Sequence, residues 1–63
     1  MKTLKLTTYG SVISIYVVAG RVLSLESYFG DRREGTKITL DGGEVVKVNE
    51  HISTVNEKLE GAL

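Results

Sequence analysis

The chain has no cysteine, which excludes disulfides and thiolate metal sites, and its single histidine cannot hold zinc alone. It has no proline, and no linker, repeat or low-complexity tract divides it. It has no net charge either, since eight basic side chains balance eight acidic ones. Without a global field to draw it to DNA, RNA or an anionic membrane, a purely electrostatic nucleic-acid role is disfavoured. No apolar run approaches the roughly 20 residues of a membrane span, and Met1-Lys2-Thr3 opens an alternating segment instead of a signal peptide. A soluble, cytoplasmic protein is expected.

Sixty-three residues make one domain at most, and a chain of this size buries only about 60% of its unfolded surface. Domains this small often gain stability from disulfides, a metal or a partner subunit. With the first two removed, self-association is the remaining device, and a homo-oligomer is expected.

What is present is a β-alternation. Leu4 and Leu6 share one face of a strand over about 2–8, and Ile13, Ile15 and Val17 share one face of a second over about 12–18. Tyr9-Gly10-Ser11 lies between them as a turn. A third strand, about 22–28, puts Leu23 and Leu25 on one side and Val22, Ser24 and Glu26 on the other. Ile38 and Leu40 alternate over 36–40, Val46 and Val48 over 44–48, and Asp41-Gly42-Gly43 joins the two as a tight hairpin turn. A helix over about 50–60 follows, with Asn49 as its cap, Glu50 in its first turn, Gly61 as its stop, and Ile52, Val55, Leu59 and Ala62 as an apolar stripe that should lie on the sheet. The fold class is α+β: a small antiparallel β-meander of about five strands followed by one C-terminal helix. The alternation leaves Val12, Tyr16, Val22 and Val45 on the face away from the helix, an apolar surface suited to an interface.

Catalysis finds little support. His51 is the only histidine, with Ser53 and Thr54 as its nearest hydroxyls in the same helix, and a solvated side chain in the first turn is its plainest role. Glu26 with Asp31, and Asp41 with Glu44, are carboxylates beside turns. Gly42-Gly43 lacks the lysine and the strand-loop-helix setting of a phosphate loop. No cofactor and no metal are expected.

The segment Phe29 to Gly35 reads as the longest connection, an exposed polar loop. Within it and at its edge, Tyr28, Phe29, Arg32 and Arg33 have binding character, because paired guanidinium forks grip phosphate or carboxylate and aromatic rings cover a base or an apolar group. Asp31 and Glu34 can neutralise the arginines in place.

The order Leu4-Lys5-Leu6-Thr7, then Ile15-Tyr16-Val17, then Thr36 to Gly43 running into Val45-Val46-Lys47-Val48 and a terminal helix resembles the small FlbD/SwrD-type proteins of bacteria. Similar short proteins occur in phages and prophages. The resemblance spans most of the chain, and the chain departs from the pattern in Tyr28 to Gly35 and at Asn49-Glu50-His51. It implies a small non-enzymatic accessory or regulatory protein. Three functions follow in order: an oligomeric accessory protein that binds a protein partner, a phage-type capture protein that holds a phosphorylated or nucleotide ligand between subunits with Tyr28, Arg32 and Arg33, and a single-strand nucleic-acid binder that stacks bases on Tyr9, Tyr16 and Tyr28.

Overall fold

A computed structural model describes residues 1–31 and 33–63. The elements run β1 (Thr3–Thr7), β2 (Ser14–Val18), a 3₁₀ turn (Ala19–Arg21), β3 (Val22–Phe29), β4 (Glu34–Leu40), β5 (Val45–Val48) and α1 (Ile52–Ala62). All strand pairs are antiparallel, so the expected α+β class holds, but the five strands divide into two sheets, β1-β2 and β3-β4-β5. A 3₁₀ turn stands between β2 and β3 where a meander would have a hairpin, and those two strands do not pair. At the opposite corner the sheets touch. Thr8 bridges Val48, the Tyr9 amide donates to Lys47 O at 3.0 Å, and the Asn49 amide donates to Thr7 O at 2.9 Å.

Leu4 and Leu6 from β1, Val17 from β2, Ala19, Ile38 and Leu40 from β4, Val48 from β5 and Val55 from α1 form one buried cluster. Period-two alternation aims the strand residues inward. The helix crosses β1, β3 and β4 with Val55 fully buried and Leu59 and Ala62 packed beside it. It is too short and polar to cross a membrane, and no helix among the described residues is long and apolar enough to do so. Among the described residues Thr36 is the one buried polar side chain, and its hydroxyl donates to Glu50 O at 2.8 Å, which removes the cost of enclosing it.

Four details differ from the sequence pattern. The connection within Phe29 to Gly35 is shorter than expected: β3 ends at Phe29 and β4 begins at Glu34, so only 30–33 connect them. Val12 and Ile13 instead fall outside β2, in a wide turn closed by Thr8 N to Ile13 O at 2.9 Å and Ser11 N to Thr8 O at 3.1 Å. In β3 a bulge between Val22 and Ser24 sets Val22 opposite Leu40 and leaves Leu23 67% exposed, reversing the expected sides of those two residues. The hairpin turn forms as expected, with Gly43 N donating to Leu40 O, but only Gly43, at φ +89°, uses a conformation that excludes other residues. Arg21 straddles this turn, its Nε 2.8 Å from Asp41 and its Nη2 2.5 Å from Glu44. Hydrogen bonds first to Asp41 and then to Glu44 raise its pKa above the ordinary arginine value.

The helix also starts later than expected, at Ile52, and runs through Gly61 to Ala62. His51 is its cap, with Nδ1 accepting from Ser53 N at 3.2 Å. Asn49 and Glu50 are drawn away by better partners across the corner. Asn49 accepts from Gly10 N at 2.8 Å and donates to Ser11 O at 2.9 Å, while the Glu50 carboxylate accepts from the Thr7 amide and hydroxyl at 3.0 to 3.1 Å. His51→Ala therefore removes a cap and should cost about 1 kcal/mol in denaturant unfolding, whereas His51→Asn, which keeps a side-chain acceptor, should cost a few tenths.

Candidate functional site

The four residues marked for binding do not form one cluster. Tyr28 and Phe29 are successive residues of β3 and point to opposite faces of the sheet. Tyr28 lies opposite Gly35, with its ring edge-to-face against Tyr9, centroids 5.0 Å apart at 81°, and with Lys47 Nζ 4.7 Å from its centroid. A ring so occupied has little free face to offer a ligand. Phe29 is 72% exposed. Arg33 is exposed at the end of the connection, and Arg32 lies outside the described residues.

Tyr9 governs this region, and no period in the sequence announces it. Its hydroxyl donates to Arg33 O at 2.8 Å and accepts from Gly30 N at 3.1 Å, tying the β3–β4 connection to the turn after β1. The glycines bounding the connection exist for this ring: a Cβ on Gly30 would fall 2.6 Å from the Tyr9 hydroxyl oxygen, and one on Gly35 would fall 2.9 Å from a ring carbon. Tyr9→Phe should lower stability by about 1 kcal/mol, the usual net worth of an exposed hydrogen-bond pair, and should leave the rest of the near-ultraviolet spectrum intact. Tyr9, Gly10, Asp31 and Arg33 line an open groove of about 420 Å³. A second groove, about 310 Å³, includes Lys2, Lys5 and Lys58 with Gly61 and Ala62.

Tyr16 sits on the other sheet, opposite Lys5, so the three tyrosines make no common stacking platform. His51, Ser53 and Glu34 do fall in line: Nδ1 is 3.0 Å from Ser53 Oγ and Nε2 is 3.4 Å from Glu34. Yet Nδ1 also receives the Ser53 amide, His51 and Ser53 are exposed, and neither groove includes them. The arrangement is that of a helix cap braced to β4.

The remaining feature is the pair of strand edges. Among the described residues β1, β2, β3 and β5 each pair with one strand; β1 and β5 meet at the corner where Thr8 bridges Val48, while β2 and β3 each present an edge with no second strand beside it. The two edges are protected very differently. β3 carries the bulge at Leu23 and the charged Glu26, held 3.2 Å from Lys37, both of which discourage another strand from adding. β2, Ser-Ile-Tyr-Val-Val, has neither charge nor bulge. Val12, 93% exposed, and Ile13, 64%, precede it, and Tyr16 within it is 66% exposed. An edge with open backbone donors and acceptors and apolar side chains is a surface made to be covered. Of the apolar outer face expected from alternation, Val12, Tyr16 and Val45 are exposed, while Val22 turns inward at the bulge. Comparison with family models, with curated proteins and with solved structures returned no match to this chain.

Proposed function

We propose that this chain is a small non-enzymatic accessory protein that binds a protein partner along the free edge of β2. The observation that supports it is the unguarded edge itself, a neutral strand with Tyr16 exposed within it and Val12 and Ile13 exposed before it. An extended apolar segment adds to such an edge through main-chain hydrogen bonds, and alternate side chains of the pair supply selectivity. The class agrees with what the FlbD/SwrD-type resemblance implies. Ile13→Lys combined with Tyr16→Ser should abolish recovery of the partner that the wild-type chain retains, with unchanged circular dichroism, and Arg33→Ala should not. Equal recovery by wild type and the double variant removes β2 as the site, and loss with Arg33→Ala transfers it to the groove beside Tyr9.

A second reading, capture of a phosphorylated or nucleotide ligand, draws on the Tyr9–Arg33 groove, where one guanidinium stands at an open cleft. It must do without Tyr28 as a stacking face. A ligand bound only by the native state raises the melting temperature, so a thermal shift with a nucleotide panel and inorganic phosphate decides it. No shift with any of them removes the reading.

A further inference from the structure

We infer that the partner seated on the β2 edge is a second copy of this chain, paired antiparallel about a twofold axis through Tyr16. The inference rests on the proposal that β2 is the binding edge and names what occupies it. Three observations carry it.

The first is register. Two copies of one strand placed side by side in one antiparallel sheet are related by an axis perpendicular to that sheet, so paired residues must point to the same face. Only an axis at Tyr16 pairs all five residues of Ser14–Val18, setting Ser14 opposite Val18, Ile15 opposite Val17, and Tyr16 opposite itself. Any other axis shortens the ladder.

The second is shape. In that register the ladder ends at Ser14 and Val18, and Val12 and Ile13 of one copy lie beside the 3₁₀ turn that follows β2 of the other. Gly20 has nothing within 4 Å of the position a Cβ would take, so there is open space to receive the Val12 side chain. Tyr16 meets its own copy, and Val12 is set beside the open position at Gly20.

The third is charge. From Val12 to Gly20 the seam carries no ionisable group except the Tyr16 phenol. The cation across from the centre of the seam, Lys5, is opposite Tyr16 on β1. Its counterpart lies three strand spacings away, about 14 Å at the usual separation, beyond the roughly 10 Å over which salt leaves surface charges in contact. The β3 edge offers no equivalent, since its bulge and Glu26 interrupt it. A standard interface takes about 20 to 30 residues from each side. A seam of nine is at the small end, so dissociation in the micromolar range is expected.

The test uses the absence of native cysteine. Tyr16→Cys, oxidised mildly in a glutathione buffer, should form a covalent dimer at least tenfold faster than Lys5→Cys, which lies off the axis. Sedimentation equilibrium of the wild-type chain should show a concentration-dependent dimer that Ile13→Lys converts to a folded monomer, with circular dichroism unchanged. A wild-type chain that stays monomeric at millimolar concentration, or equal cross-linking at positions 16 and 5, overturns the inference. If the wild-type chain is monomeric yet Ile13→Lys still loses a heterologous partner, the self-pairing fails while the binding edge stands. If Ile13→Lys loses neither, both fail.

Discussion

Gly35→Ala is expected to destabilise the fold by about 3 kcal/mol or more, the upper range for adding a methyl group to a filled site. Gly35 is buried in β4, and a Cβ there would run into the backbone oxygen of Val48 on one side and the Tyr9 ring on the other. A backbone carbonyl held in a ladder cannot swing aside as a flexible side chain can. At about 0.05–0.15 kcal/mol per residue, a domain of this length has only some 3–9 kcal/mol in hand, so the variant should be largely unfolded at moderate temperature. Urea titration followed by circular dichroism measures it. Gly42→Ala is the control: its added Cβ would meet the ends of the Glu44 and Arg21 side chains, which can move, and the loss should stay well under 1 kcal/mol.

Ile38→Ala should cost about 3–4 kcal/mol, the transfer term of the lost atoms plus the cavity they leave. Ile38 is fully buried in the central strand of its sheet, between Leu25 on β3 and Val46 on β5. The same substitution at Ile13, 64% exposed in the turn before β2, should change stability of the isolated chain by about 0.5 kcal/mol or less. The pair holds side-chain chemistry constant and varies only burial. Comparable losses at both positions would mean that Ile13 is already covered in the folded chain.

The elements were legible where local pattern and tertiary burial agree. Leu4 and Leu6, Ile38 and Leu40, Val46 and Val48, and the Val55-Leu59-Ala62 stripe all point inward, as alternation and helical spacing require. The pattern misled where two readings of the same residues are equally apolar. Val22-Leu23-Ser24-Leu25 alternates in either phase, and only pairing with Thr39 and Leu40 selects the bulged one. Asn49 is a good cap by composition, but a hydrogen bond to Gly10, 39 positions away, outweighs that local use. The binding segment was legible in composition and not in geometry. Tyr28 and Arg33 are tied to Tyr9, whose reach across about twenty positions has no local signature. The open edge of β2 depends on which strand lies beside which, and a 3₁₀ turn at Ala19–Arg21 stands where a meander would have a hairpin.

The unequal protection of the two edges is the central claim, and residue-resolved amide hydrogen exchange at low micromolar and at millimolar chain concentration tests it most directly. Outward-facing amides of Ser14–Val18 should exchange readily in the dilute sample and become protected in the concentrated one, while the outward-facing amides of Val22–Phe29 should exchange at the same rate in both. Protection that grows along β3 with concentration, or β2 amides that exchange identically at the two concentrations, would contradict it.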